Sequence, residues 1–380
     1  MSDVFVTTHT PVLRSGRAVR TYGVVRALAQ ARGGVVVVHV RFGADEPDDA
    51  FRSIPGIELV AVTPSRGARR ALAYARARAR GVPDDFARAV SPELARVARA
   101  IVERERTGGD AAARLVADGP EAAAALAGLP RRLPLVYNAH NLESAFRHEL
   151  SSPGLGSREA LRRFERGLLE RADLSWMVSP AELAAARELA PAAAVTVVPN
   201  VVDVARIAPV GPDVGAQRLL FVANFSYEPN RDGLRFLLDE VLPRLWRTLP
   251  QTRLRLVGAG LDSAPSSDQR VEAVGFVDDL ADAYRDVSAA VVPLRKGGGT
   301  PLKFVEALAY GLPVVATPRA AAGLAVEDGV HCRLAEEPAA FAEALAGILR
   351  DGAPALAERG RALAEERYSI ESLVPLVAPR

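Results

Sequence analysis

Only two of the 48 basic residues in this chain are lysines, and both fall in one stretch, Leu294-Arg295-Lys296-Gly297-Gly298-Gly299-Thr300-Pro301-Leu302-Lys303-Phe304-Val305-Glu306. The triple glycine leaves the backbone bare. With Thr300 as N-cap, Pro301 at the first helical position and Gly311 as terminator, the spacing predicts a helix directly after it. Unpaired N–H groups and the positive end of a helix dipole then converge on one place, with the charge of Lys303 beside them. Such a place takes a phosphate. Glu306 lies three residues beyond Lys303, on the same helical face. It either pairs with the lysine or accepts two sugar hydroxyls of a nucleotide ribose, and the second reading is favoured because an exposed pair of this kind contributes little.

Four other places carry candidate chemistry. His140 follows the run 135–138, at the end of an expected parallel strand; it donates to a substrate oxygen or phosphate, or it is a hydrogen-bonded structural histidine. Gly16, in Thr10-Pro11-Val12-Leu13-Arg14-Ser15-Gly16, lets backbone approach a ligand or makes an ordinary turn. Val257-Gly258-Ala259-Gly260-Leu261 begins like a dinucleotide fingerprint, but Ser263 stands where the third glycine belongs and no long helix follows, so it reads as a turn. The six arginines from Arg66 to Arg80, with no acid among them, read first as a solvated helix face and second as a basic face for peripheral contact with an anionic membrane or acceptor.

Positioning these residues takes a layered α/β framework. Short apolar runs at 4–8, 35–40, 57–62, 114–117, 135–138, 174–178 and 195–198 alternate with helical patterns at 17–31, 68–105, 158–171 and from 181. A second series has strands at 219–223, 254–257, 271–277, 290–294 and 314–317, helices at 232–247, 279–287 and 301–310, and two Ala-rich helices to the end. Near-continuous apolar strands are those of parallel sheets covered on both faces. The expected division is a first domain over 1–203, a linker over 204–217, and a second domain over 218–380 whose last helix packs back on the first.

Composition narrows the function classes. Hydrophobic residues make up 49% and charged ones 25%, a globular profile, and a net charge of +2 without basic runs interleaved with aromatics argues against nucleic acid. No run reaches the roughly 20 apolar residues of a membrane span, and the chain opens on a strand pattern, so a cytoplasmic protein is expected. One cysteine excludes an internal disulfide, and five scattered histidines suggest neither metal nor other cofactor.

The run Lys303-Phe304-Val305-Glu306-Ala307-Leu308-Ala309-Tyr310-Gly311-Leu312-Pro313-Val314-Val315-Ala316-Thr317 resembles the nucleotide-sugar signature of glycosyltransferase family 4. Val197-Val198-Pro199-Asn200-Val201-Val202-Asp203 resembles the segment closing that family's N-domain, Phe221-Val222-Ala223-Asn224 its first C-domain strand, and Val274-Gly275-Phe276-Val277-Asp278-Asp279-Leu280 its base-binding turn. The resemblance implies the GT-B fold: two Rossmann-like, doubly wound parallel-sheet domains facing across a cleft. It implies transfer of a sugar from a nucleotide diphosphate donor to a hydroxyl acceptor, with retained configuration and no metal. Glu306 matches the ribose-holding glutamate, His140 the N-domain histidine near the transferred sugar, and Gly16 the loop under the diphosphate; Asn224, Phe276, Val277 and the run Gly297, Gly298, Gly299, Thr300, Pro301, Leu302 and Lys303 complete the donor site. The family's first glutamate is here Gly298, and its diphosphate-clamping arginine and lysine fall near Asn224 and Asn230, so Lys303 and the glycine loop are the expected substitute. A nucleotide-sugar epimerase and a catalytically silent partner subunit are the alternatives.

Overall fold

The structure, a computed structural model, describes residues 3–41, 43–109, 112–146, 154, 156–261, 265–277 and 279–378. Ser263 and Asp278 lie outside them. The chain divides into two compact units, Met1–Asn200 with Ile370–Arg380, and Val201–Ser369.

The first unit is built on seven parallel strands: β1 (Asp3–Thr7), β2 (Val35–Val40), β3 (Ile57–Val62), β4 (Leu115–Asp118), β5 (Leu135–Asn138), β6 (Leu174–Met177) and β7 (Val195–Val197). Their order is β3-β2-β1-β4-β5-β6-β7. β1 and β2 are buried at every position, as strands covered on both faces must be. Winding reverses between β1 and β4, so the loops leaving these two strands part to opposite faces and open a crevice at their C-terminal ends. The expected helical region 68–105 is three helices, Gly67–Ala79, Asp84–Ala87 and Pro92–Thr107. Gly81 and Pro83 interrupt the first, and Ser91 caps the third. The chain returns to this unit at its end: helix Ile370–Val377 packs on helix Gly16–Arg32, and Arg114 donates to both Asp3 and the carbonyl of Val377.

The second unit carries six parallel strands, β8 (Arg218–Val222), β9 (Arg253–Val257), β10 (Val271–Gly275), β11 (Ala289–Val292), β12 (Val314–Ala316) and β13 (Arg333–Leu334), in the order β10-β9-β8-β11-β12-β13. Here winding reverses between β8 and β11. β13 carries no apolar run and escaped the sequence reading. The helix expected at 232–247 starts earlier, at Glu228, and passes through a π-helical stretch, Phe236–Val241, before continuing as Leu242–Thr248. Pro243 explains the change of pitch, since it has no N–H to donate and its ring displaces the carbonyl of the preceding turn. Residues 204–217 lie within this unit as two 3-10 turns, Val204–Arg206 and Val214–Ala216; Arg361 holds the carbonyls of Val204 and Ile207 at 3.3 and 3.0 Å. No helix of the described residues is long and apolar enough to cross a membrane.

Candidate functional site

In the second unit, the segment after β11 carries both lysines and is fixed from two sides. Asp232, nearly buried, takes Arg295 Nε at 3.0 Å and Lys296 Nζ at 3.1 Å. Arg319, just after β12, donates Nε and Nη2 to the carbonyl of Gly297 at 3.0 and 2.7 Å. Gly297 and Gly299 take φ of +92° and +74°. The following helix runs Leu302–Ala309, so its N-cap is Pro301 rather than the expected Thr300, which is buried in the loop instead. The reason is the backbone of Pro301, extended at ψ 113°, which delays helical geometry by one residue. No side chain caps this helix, which leaves N–H groups of its first turn for another partner.

Lys303 does not spend its charge on Glu306. Its Nζ donates to Asn230 Oδ1 at 2.6 Å and stands 5.0 Å from the ring centre of Phe221, while Asn230 Nδ2 donates to the carbonyl of Asn224 at 2.7 Å. Burial pulls the ammonium down to about 7 against the opposing charge of Glu306. Burial likewise pushes the Glu306 carboxyl up to about 7 against the charge of Lys303. Among the described residues no hydrogen bond or ion pair reaches that carboxyl. Next to it, Tyr284 and Tyr310 stack with ring centres 4.0 Å apart. The arrangement can receive an anion at the loop and helix end, and hydroxyl groups at Glu306.

In the first unit, the ends of β1, β4 and β5 bring a polar cluster together. His140 Nε2 lies 2.6 Å from Asp118 Oδ1, which also accepts from Asn138 Nδ2 at 3.0 Å; Asp118 Oδ2 accepts from Thr21 at 2.8 Å. Burial would raise the fully enclosed Asp118, yet His140, Arg17 and Thr21 hold it well below the usual carboxylate range. Burial lowers His140 despite that carboxylate. A neutral ring beside an ionised Asp118 places the proton on Nε2 and leaves Nδ1 as a base. Asn138 is oriented in turn by Arg20 Nη2 at 2.7 Å, and Arg20, buried, also binds the carbonyl of Val198 at 3.0 Å. Gly16 opens helix Gly16–Arg32 behind its N-cap Ser15, and the next residue, Arg17, forms a two-pronged pair with Glu121 at 3.0 and 2.9 Å.

Of the residues singled out in the sequence, the structure gathers Gly297 through Glu306 into one place and ties Asn224 to it through Asn230. Phe276 and Val277 follow the edge strand β10, with Phe276 exposed, and no hydrogen bond or ring contact joins them to Lys303 or Glu306 among the described residues. Gly258 makes a tight turn and no dinucleotide loop: a Cβ there would lie 1.9 Å from the carbonyl of Ala223. Sequence reasoning missed Asp118, Arg17, Glu121, Asp232 and Arg319. Asp118 did carry a signal, since an acid ending an apolar run before Gly-Pro marks the mouth of a βα turn; Arg319 carried none in so arginine-rich a chain. No three His, Cys, Asp or Glu residues among those described lie close enough to hold a metal ion.

Residues 14–206 match the family model described as Glycosyltransferase Family 4, and residues 216–351 the one described as Glycosyl transferases group 1. A curated relative, the phosphatidyl-myo-inositol mannosyltransferase of Mycobacterium leprae (strain TN), is 31% identical over 167 residues, which cover 40% of this chain and 44% of the relative. The match thus spans less than half the length of that relative. Among solved structures, the Anabaena protein HepE, in complex with UDP and glucose, matches over 99% of this chain and 98% of its own with a TM-score of 0.69 at 17% identity. Sucrose-phosphate synthase from Thermosynechococcus elongatus matches over 99% and 97% with a TM-score of 0.71, also at 17% identity. These likenesses show the fold, two Rossmann-like parallel-sheet domains of the GT-B kind.

Proposed function

The chain belongs to glycosyltransferase family 4 and is a glycosyltransferase, and on that premise we propose that it moves a hexose from a nucleotide diphosphate sugar to an acceptor hydroxyl, with retained configuration and no metal ion. The observation that carries this reading is the unspent charge after β11: a fixed glycine loop, an uncapped helix start, an ammonium that meets an amide oxygen and an aromatic face, and a carboxyl that no hydrogen bond or ion pair reaches among the described residues. In this reading the diphosphate lies against the loop and Lys303, and Glu306 accepts the ribose hydroxyls. Asp232 already engages Arg295 and Lys296, and Arg319 is committed to the carbonyl of Gly297, so Lys303 is the cation we assign to the leaving group. The bond from the sugar's anomeric carbon to the phosphate oxygen breaks, the acceptor oxygen forms the new bond on the same face, and its proton passes to the departing phosphate. His140, with Nδ1 as acceptor, orients a hydroxyl of the sugar. That a structural neighbour holds UDP and glucose supports a nucleotide sugar as donor.

Thermal-shift titration with UDP, GDP and ADP sugars tests the reading, because a ligand at 100 times its Kd adds about 2.7 kcal/mol of stability. We expect one nucleotide class to stabilise the chain and to be turned over on addition of acceptor. Stabilisation by none, with no donor consumed, would overturn the assignment and leave a silent partner subunit. Peripheral membrane contact is a second element of the proposal. Arg66, Arg69, Arg76, Arg78 and Arg80 are exposed on and around helix Gly67–Ala79 together with Leu72, so the chain should sediment with vesicles containing anionic lipid and be released by salt.

A further inference from the structure

Arg20 is 3% exposed, and among the described residues no ion pair joins it to a carboxylate. Its fork meets neutral oxygens instead. Nη1 donates to the carbonyls of Val198 and Pro199 at 3.0 and 3.3 Å and to Asn200 Oδ1 at 3.1 Å, and Nη2 donates to Asn138 Oδ1 at 2.7 Å. Burial pulls the guanidinium down to about 10 against the charges of Asp118 and Glu182, so it stays protonated at neutral pH. A charge enclosed in this way costs stability that apolar side chains of the same volume would not.

Asn138 gives the bonds a direction. A guanidinium has no lone pair, so it can meet only the amide oxygen; an ionised Asp118 has no proton, so its Oδ1 can meet only Asn138 Nδ2, at 3.0 Å. The same carboxylate oxygen lies 2.6 Å from His140 Nε2. Arg20 thus reaches the imidazole through two neighbours, Asn138 and Asp118. It also acts on the ring by charge: burial lowers His140 first, Asp118 opposes this, and Arg17 and Arg20 add to it. His9, after β1, is the remaining titratable group that faces the ring. On its other side the fork holds Val198, Pro199 and Asn200, where the chain leaves the unit, so helix Gly16–Arg32, β5 and the exit segment share one guanidinium.

We propose that Arg20 is a positioning residue for transfer: through Asn138 and Asp118 it holds the His140 ring in one orientation, with the proton on Nε2 and Nδ1 left to accept. That His140 serves transfer rests on the reading above; that Arg20 governs the state of the ring does not. Removing the guanidinium frees the Asn138 amide to turn and takes a positive charge from behind Asp118. The ring should then take up a proton more readily and lose its fixed tautomer.

Two-bond proton–nitrogen correlation NMR on the full chain, labelled at its five histidines, reads the tautomer and titration of each ring, with His140 identified by its loss in His140→Gln. In the unaltered chain His140 should carry its proton on Nε2 at pH 7 and titrate below the ordinary histidine range. Arg20→Gln should raise that midpoint by about one pH unit and mix the tautomers. It should also lower kcat roughly tenfold with the Kd for UDP unchanged. Arg20→Lys keeps the charge, so it should return the midpoint but only part of the rate, because one ammonium does not reproduce the fixed geometry of a fork. A merely structural Arg20 would lower the melting temperature and leave midpoint and tautomer in place, and that result overturns the proposal. A proton on Nδ1, or a charged ring at pH 7, in the unaltered chain overturns it without any variant. If Arg20→Gln moves the His140 midpoint while His140→Ala transfers at full rate, the hold of Arg20 on the ring stands and the reading of His140 fails. If His140→Ala is slow and Arg20→Gln leaves the ring as it was, that reading stands and the role of Arg20 fails.

Discussion

Around the crevice between β1 and β4, Asp118 is matched by Asn138, Thr21 and His140, and Arg17 by Glu121. At the corresponding place between β8 and β11, Lys303 meets one amide oxygen and the face of a ring, and the Glu306 carboxyl meets neither donor nor cation among the described residues. Half-buried charges without full partners are costly, and the two groups show the cost by drifting toward neutrality from opposite ends, both to about 7. The first place is a polar scaffold whose charges are matched by its own residues; the second leaves an ammonium and a carboxyl without an opposite charge in contact among the described residues, as a site built for a charged guest would.

Removing Lys303 should break the comparison most visibly. If its ammonium meets charge developing on the leaving diphosphate, Lys303→Ala should cost about 3–4 kcal/mol in kcat, the size expected when one preorganised stabilising group is lost. Lys303→Arg should recover only part of this, because a broad planar fork does not fit where a point charge sits between Asn230 and Phe221. Transfer rates at saturating acceptor measure both. Full activity in the arginine variant would mean that the charge, and not its placement, is what the second unit provides.

The first unit has its own exception to matched charge, and it should appear in stability. Glu165 and Glu182 are 3% and 2% exposed, and burial pushes both up to about 7. A folded-state value raised above the ordinary 4.5 gives stability that is fully present below 4.5 and lost as pH rises through 7. Each group can contribute up to about 3 kcal/mol over that window. Melting temperature followed from pH 5 to 8 should fall, and Glu182→Gln should flatten its share of the fall. A variant whose pH dependence matched the unaltered chain would show that the carboxylate ionises at no cost.

How far these two places could be read in advance differs for physical reasons. The glycine loop, Lys303, Glu306 and the helix after them are local in sequence, so spacing alone assembled them, and the error was a one-residue shift of the cap. The β-branched run 35–40, buried at every position, gave a strand to the residue, and so did 57–62, although it is the edge strand and Glu58 and Ala61 in it are exposed. The first cluster is different: Arg17, Asp118, Glu121 and His140 meet only because β1 lies beside β4 in the sheet, and strand order is not written in any window of the chain. Asn230 and Asp232 were likewise brought to the loop by tertiary packing, and Arg319 was hidden among many arginines whose side chains face water.

Within that first cluster, if His140 orients the sugar as proposed and takes no part in holding the nucleotide, His140→Ala should lower kcat roughly a hundredfold while leaving the Kd for UDP within about twofold. Asp118→Asn should follow it part of the way by freeing the ring to change tautomer. Steady-state rates set against calorimetric affinities separate the two effects. Equal losses in both quantities would place His140 in a structural role.

The smallest effect should sharpen the comparison best. If Glu306 accepts the ribose hydroxyls as proposed, Glu306→Gln removes those charge-assisted bonds, so UDP binding should weaken by about 1.5–2 kcal/mol, at the lower end for such bonds because the carboxyl is only half buried. The pH profile carries the sign. In the unaltered chain the affinity for UDP should peak near pH 7, falling on the acid side as Glu306 takes up its proton and on the alkaline side as Lys303 loses its own. The variant should lose the acid limb that Glu306 causes and keep the alkaline one, moved to lower pH because the carboxylate that raised the lysine is gone. UDP's own phosphate ionisation is common to both proteins, so the difference between the two curves isolates the side chains. An acid limb of unchanged height in Glu306→Gln would mean that the carboxyl never meets the nucleotide, and the second unit would then be as self-contained as the first.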